Sequence, residues 1–340
     1  MIKDKQAIIC VRDIEEGKIS ICEGYYLRYL KMKFCKKLVG EFINKIMKLR
    51  ILHYIPDKMY IQIIYFVNFH KMINLNNPTT FNEKLQWLKL HDHNPKYTNM
   101  VDKYEAKKIV ANKIGDEYII PTLGIWNSFD EIDFNKLPNQ FVLKCTHDCG
   151  GIVICKDKRY LNIRDARNKI NKSMKRNYYY VGREWQYKNV KPRIIAERYM
   201  VQEGLESGLN DYKFQCFDGK VDNIMICEGR DSERGVRYLY FSKEWNYLGY
   251  CLYDDIDIST FTYPKPDRLN EMIQIAETLA EGYKELRIDL YCINGKIYFG
   301  EITLYTSSGI DRTITREADR KMGERLNLKT DFKKGDKNER

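Results

Sequence analysis

An Asn-Gly dipeptide at 294–295, set between two runs of alternating character, constrains this chain more than any other feature. Asn and Gly tolerate the left-handed backbone that a two-residue hairpin turn requires. The flanking runs, 286–293 and 296–304, are rich in β-branched and aromatic residues and read as antiparallel strands. Residues two apart on a strand share a face. Arg287 and Asp289 therefore point one way on the first strand, and Glu301 and Thr303 share a face of the second. The turn sets the register, so the two sets can converge. Two carboxylates and a hydroxyl suit a hard cation such as Mg²⁺, which takes oxygen ligands and substrate phosphates. Arg287 beside them suits a charged phosphoryl oxygen. The plainer alternative is a solvated polar face carrying an Arg–Asp pair.

Upstream, the pattern changes from helical to extended. Asn76-Asn77-Pro78-Thr79 is a turn cluster. Thr80-Phe81-Asn82-Glu83 then has the spacing of a capping box and starts a helix. A second helix fits 100–113, closed by Gly115. From there short strands follow: 141–145 running through Gly150-Gly151 into 152–154, then 193–201, then 212–217 and 223–227 joined by Asp218-Gly219. A helix over 268–285 precedes the last hairpin. The expected divisions are a basic helical extension (1–54), a region preceding the nucleotide fold (55–135), a lid subdomain (136–196), a C-terminal subdomain bearing the metal site (197–330) and a frayed polar tail (331–340).

Within 25–50, eight basic residues face a single acid, Glu41, and apolar residues recur near a helical period. Such a helix lies peripherally on an anionic membrane or packs on the protein body. Net charge is +11, which favours anionic partners. The basic residues do not gather in a nucleic-acid reading motif, so no nucleic acid is expected. With no signal peptide legible and no apolar run of membrane-spanning length, the chain reads as cytoplasmic with its ten cysteines reduced. Cys145, His147, Cys149 and Cys155 lack the paired spacing of a zinc site. Lys144, at a strand end before Gly150 and Gly151, can reach a phosphate while backbone N–H groups cradle it, although a plain hairpin gives the same pattern.

Taken in order, these segments resemble the TupA-like (teichuronopeptide biosynthesis) family of the ATP-grasp superfamily. The resemblance rests on 77–88 (NPTTFNEKLQWL), Val101-Asp102-Lys103-Tyr104, 141–145 (FVLKC), Asp211-Tyr212-Lys213-Phe214, 287–291 (RIDLY) and 299–303 (FGEIT). It implies an α+β fold of two subdomains sandwiching ATP. It assigns Lys103 or Lys107, with Lys144, to phosphate, and Gly150 and Gly151 to the lid loop. Glu197 to Met200 become the hinge at adenine, Asp211 the residue near ribose, and Lys213 a further phosphate contact. Asp289, Glu301 and Thr303 become ligands for Mg²⁺, two ions with Mn²⁺ as a substitute, and Arg287 steadies the transferred phosphoryl group. Where the superfamily usually has Asn two residues beyond the metal-binding Glu, this chain has Thr303, a weaker ligand.

The activity implied is an ATP-dependent carboxylate–amine ligase working through an acylphosphate. Its partners would be an acidic sugar or polysaccharide precursor and an amine or amino acid, in the building of a cell-surface polymer. A kinase of a sugar or carboxylate, and a non-catalytic component of polysaccharide assembly, are the competing expectations. Substrate contacts are expected from 178–187 and 306–316, where aromatic and basic residues gather.

Overall fold

The computed structural model describes residues 53–202, 209–229 and 235–328; the basic stretch 25–50 and the tail 331–340 lie outside the described residues. Two compact units divide the chain, Met1–His70 and Lys71–Arg340. In the first, helix α1 (Asp57–Phe69) ends on His70, whose left-handed backbone (φ 54°) returns its N–H to the Phe66 carbonyl at 2.8 Å. Among the described residues no helix is long and apolar enough to cross a membrane.

The second unit opens with α2 (Phe81–His91), which starts at the expected capping box. Thr80 Oγ1 accepts the Glu83 N–H at 3.4 Å, and the Glu83 carboxylate accepts the Thr79 and Thr80 N–H groups at 3.1 and 3.4 Å. The helix expected over 100–113 is two helices, α3 (Lys96–Val101) and α4 (Glu105–Ile114). Asp102 separates them: its carboxylate takes the N–H groups of Tyr104 and Glu105 at 2.9 and 3.2 Å, offering the backbone an alternative to continued helix.

A four-stranded antiparallel sheet follows, built from β1 (Thr122–Trp126), β2 (Phe141–Cys145), β3 (Ile152–Cys155) and β4 (Ile194–Arg198) in the order β1-β4-β2-β3. Phe141, Leu143 and Cys145 alternate onto one face and pack with Ala166 and Ile170 of α5 (Ile163–Met174). Lys144 points to the other face. A short helix, α6 (Tyr179–Gly182), precedes β4.

The larger sheet has five antiparallel strands, β5 (Asp211–Phe217), β6 (Lys220–Glu228), β7 (Arg237–Phe241), β8 (Glu285–Ile293) and β9 (Lys296–Thr303), in the order β7-β6-β5-β8-β9. Phe214, Ile224, Ile288 and Leu290 form its apolar face with Met272, Ala276 and Leu279 of α7 (Leu269–Ala280). That helix stops short of the expected residue 285, because Glu281 turns extended and Gly282 takes φ 84°. Helix α8 (Arg316–Arg325) closes the unit.

The last hairpin turns at Asn294 and Gly295, both left-handed at φ 50° and 72°. That turn pairs Ile293 with Lys296 and Leu290 with Phe299. Continued without a break, this register would set Glu301 opposite Ile288 and send it to the apolar face. A bulge between Asp289 and Leu290 on β8 leaves Gly300 unpaired on β9, and beyond it Asp289 faces Glu301 and Arg287 faces Thr303. The convergence expected from the turn alone therefore needs this extra residue. A Cβ at Gly300 would stand 2.9 Å from the Tyr291 ring and 3.0 Å from the Asp289 carbonyl oxygen, which is backbone and cannot swing aside. Gly300→Ala is expected to destabilise the protein by about 1–2 kcal/mol. A urea titration should show a lower midpoint at unchanged slope, and an unaltered midpoint would mean that the bulge has room.

Candidate functional site

Four of the five strands carry two polar rows across one face of the sheet. In the first, Lys213, Asp289 and Glu301 stand side by side on β5, β8 and β9. In the second, Asn223, Gln215, Arg287 and Thr303 stand side by side on β6, β5, β8 and β9. Asp211 lies two residues back from Lys213 on the same face. This face is charged and yet buried: Asp289 is 3% exposed and Lys213 7%. Burial at that level is tolerable only with close pairing.

The pairing is dense. Lys213 Nζ contacts Asp289 Oδ2 and reaches Asp211 Oδ2 at 2.6 Å. Arg287 donates Nε to Asp289 Oδ1 at 2.7 Å, and Nη2 to Asp289 Oδ2 at 3.0 Å and Thr303 Oγ1 at 2.9 Å. Lys103, between α3 and α4, donates Nζ to Glu301 Oε1 at 3.0 Å and to the Asp148 carbonyl at 2.8 Å. Burial pushes the Asp289 and Glu301 carboxyls up, but Arg287 and Lys213 for the first, and Lys103 and Arg287 for the second, more than reverse it. Both carboxyls sit below their ordinary range and are ionised at neutral pH. Burial likewise works against the Lys213 and Lys103 ammonium groups, and the carboxylates beside them hold both above the usual lysine value.

A second cluster lies on the smaller sheet. Lys144 on β2 reaches Glu197 Oε2 on β4 at 2.5 Å, and Lys107 of α4 contacts Glu197 Oε1. Lys107 also donates to the Ile120 carbonyl at 2.7 Å. The two candidate lysines thus separate: Lys103 joins the β2–β3 loop to Glu301, while Lys107 shares Glu197 with Lys144. Glu197 enters the site through its side chain, a role that reading it as a backbone hinge did not foresee. The Arg198 N–H donates to the Pro121 carbonyl at 3.0 Å, and Met200 follows just beyond β4.

The loop between β2 and β3 is organised by Asp148, which is 1% exposed. Its carboxylate accepts from Ser173 Oγ, from Arg176 Nη2 at 2.7 Å, and from the Gly150 and Gly151 N–H groups at 3.2 and 3.1 Å. Burial would raise the Asp148 carboxyl, but the Ser173 and Arg176 hydrogen bonds lead the effects that bring it below the usual value. Gly150 and Gly151 therefore present their N–H groups to an anion, here a carboxylate of the loop itself.

A cavity of about 530 Å³ opens beside Lys213 and Arg287, walled by Cys227, Tyr238, Ser307 and Asp311. Asp311 carried no signal in the sequence beyond its place in the segment 306–316. Among the described residues no group of three or more His, Cys, Asp or Glu gathers as a metal cage. The donors facing one another here are two carboxylates with Thr303 one row away, a set that fits Mg²⁺ when phosphate and water supply the remaining oxygens.

Residues 83–327 match the family model described as TupA-like ATPgrasp. No curated protein matches the sequence. Among solved structures, the chain is similar to D-alanine–D-alanine ligase from Bacillus anthracis complexed with ATP, at 15% identity and a TM-score of 0.41, over 66% of this chain and 61% of that one. It is also similar to D-alanyl-alanine synthetase A from Vibrio cholerae O1 biovar eltor, at 13% identity and a TM-score of 0.41, over 71% and 68%. A third likeness is to the ATP-grasp ligase PsnB complexed with minimal precursor, Mg and ADP, at 10% identity and a TM-score of 0.34, over 66% and 57%. This chain spans less than two thirds of the length of the Bacillus anthracis ligase.

Glu197 yields a pH signature. Burial alone would raise its carboxyl, but Lys144 and Lys107 bring it from the ordinary 4.5 down to about 2. A folded-state value below the unfolded one stabilises above pH 4.5 and loses that stabilisation as pH falls towards 2. The stability difference between wild type and Glu197→Gln should hold steady above pH 4.5 and narrow below it. Urea midpoints measured across that range test this, and a gap independent of pH would refute the pairing.

Proposed function

The chain belongs to the TupA-like ATP-grasp family, and on that footing we propose that it is an ATP- and Mg²⁺-dependent carboxylate–amine ligase. The observation that carries this reading is the row Lys213–Asp289–Glu301 flanked by Arg287 and Lys103: ionised carboxylates facing each other on a buried surface, each already in contact with a cation suited to phosphate.

Asp289 and Glu301 would hold the metal, with Thr303 as a weaker neighbour, and Mn²⁺ would substitute for Mg²⁺. Lys103, Lys144, Lys213 and Lys107 would meet phosphates, helped by Gly150 and Gly151 once Asp148 gives way. Glu197 to Met200 would border adenine and Asp211 the ribose. ATP supplies a phosphoryl group that turns a carboxylate into an electrophile. In the first step a substrate carboxylate oxygen bonds to the γ-phosphorus as the bond to the bridging oxygen breaks, giving an acylphosphate and ADP. In the second, an amine nitrogen bonds to the acyl carbon, phosphate leaves with its oxygen, and the nitrogen gives up a proton. Arg287, Lys213 and Lys103 would balance the charge that moves among these oxygens. The protein's share is placement and electrostatics rather than a side-chain nucleophile.

The cavity beside Arg287 and Lys213 is the place we assign to the carboxylate and its amine partner. Lys213 and Arg287 in its lining suit an acid, and Asp311, which also lines it, suits an amine. The family and the surplus of basic residues favour an acidic sugar or polysaccharide precursor joined to an amine or amino acid, in cell-surface polymer assembly at the cytoplasmic membrane face.

An ADP-release assay with MgATP, screening uronic acids against amino acids and followed by mass spectrometry of the product, tests the reading. An amide product supports it. A stable phosphorylated product makes the protein a kinase, and absence of MgATP binding makes it a non-catalytic component. Glu301→Gln is expected to cut ADP release by about 10²–10³-fold while leaving the circular dichroism spectrum unchanged. Retained turnover would remove Glu301 from the metal site. Lys144→Ala should weaken nucleotide affinity in calorimetry, and unchanged affinity would remove Lys144 from the phosphate site.

A further inference from the structure

Helix α2 carries most of the block 77–88, and its polar side chains are spent inside the protein. Asn82, Gln86 and Lys89 are spaced four and three residues apart, so they share one helical face. All three are at most 1% exposed. Asn82 clasps the backbone of Asp311, accepting its N–H at 2.7 Å and donating Nδ2 to its carbonyl at 3.2 Å. Gln86 donates Nε2 to the carbonyls of Ser308 and Gly309, both at 2.8 Å. Lys89 donates Nζ to the Ser308 carbonyl at 2.8 Å, to Ser308 Oγ at 3.1 Å and to the Gly182 carbonyl at 2.6 Å.

The segment they grip is strained. Tyr305, Ser307, Ser308 and Gly309 have φ of 59°, 51°, 54° and 62°, a left-handed path that side-chain-bearing residues adopt at a cost. Such a path persists only where its surroundings over-determine it. The opposite side of α2 is itself fixed. Lys84 donates to the carbonyls of Gly323 and Leu326 at 2.5 and 2.7 Å. Helix α8 comes so close that a Cβ at Gly323 would stand 2.3 Å from the Thr79 carbonyl oxygen. Two residues of this segment line the cavity beside Lys213 and Arg287: Ser307, next to the gripped Ser308, and Asp311, whose own backbone Asn82 holds.

We propose that Asn82, Gln86 and Lys89 are positioning residues of that cavity: anchored by α8, they hold the left-handed turn within 305–309 and the backbone of Asp311 in place, so that Ser307 and Asp311 line it together with Lys213 and Arg287. Lys89, through Gly182, ties the same loop to the aromatic segment 178–187. The clamp follows from the contacts above, and its use in seating the non-nucleotide substrate rests on the ligase reading.

Cys227 lines the cavity, while Cys216 is buried in the core, so the two thiols separate local opening from global unfolding. The full chain, and its Lys89→Met and Gln86→Met variants, are treated with iodoacetamide, and alkylation is followed peptide by peptide. Loosening the clamp should raise the rate at Cys227 by about tenfold and leave Cys216 unchanged. MgADP affinity, measured by calorimetry, should stay at the wild-type value. Gln86→Met keeps the Lys89 contacts and serves if Lys89→Met does not fold. A parallel rise at Cys227 and Cys216 would reduce α2 to an ordinary packing helix, and an unchanged Cys227 rate would equally overturn the proposal. Failure of the wild type to bind MgADP would sink the ligase reading, while the thiol rates still decide the clamp.

Discussion

The bulge at Gly300 sets Asp289 opposite Glu301, and it is what brings Glu301 to Lys103 and Thr303 to Arg287 on the charged face of the large sheet. Side chains alternate along a strand, so one unpaired residue moves everything beyond it to the other face. Without it, Glu301 would lie among Phe214, Ile288 and Leu290. With it, two carboxylates share a surface with Lys213 and Arg287, and Lys103 is drawn in from outside the sheet. Removing so many charges from water is expensive, and close hydrogen-bonded pairing is what makes it tolerable.

That pairing also fixes what the face can accept. Lys103, Lys213 and Arg287 are matched by Asp211, Asp289 and Glu301, so the network carries little net charge. A lone anion or a lone cation would upset the balance. A polyphosphate arriving with divalent cations would not, because the carboxylates can turn to the metal while the basic groups turn to phosphate. Glu197 with Lys107 and Lys144, and Asp148 with Gly150 and Gly151, follow the same logic: each holds phosphate-suited donors on an internal carboxylate.

Local patterns made much of this legible. The capping box at Thr80, all three glycine-bearing hairpins and the strand carrying Lys213 could be read because short-range turn and cap chemistry wrote them. Strands β1 and β7 left no such mark. Thr122–Trp126 contains a glycine and pairs with a strand some seventy residues later, and Arg237–Phe241 follows no diagnostic turn. The split between α3 and α4 was missed because Asp102 acts through a side chain that periodicity does not register. The site was legible as a list of residues but not as a set of partnerships. That Lys107 belongs with Glu197, or that Gly300 is needed to bring Glu301 round, depends on register and on contacts far apart in sequence.

Lys103 is where these separate parts meet. Its N–H donates to the Thr146 carbonyl at 3.0 Å, and its Nζ bridges the Asp148 carbonyl and Glu301. One side chain therefore links the glycine loop of the small sheet to the metal-suited strand of the large one. Glu301 and its neighbours hold the ammonium charged well above neutral pH, against the effect of burial, so protonation does not decide its partner. Competition does. A divalent cation on Glu301 would take one of its two anchors and leave a buried positive charge beside the glycine loop. The nearest remedy is an anion at that loop, which is also what Gly150 and Gly151 need if Asp148 gives way. Metal and phosphate would thus favour each other's binding through Lys103, a coupling that follows from where one ammonium group sits.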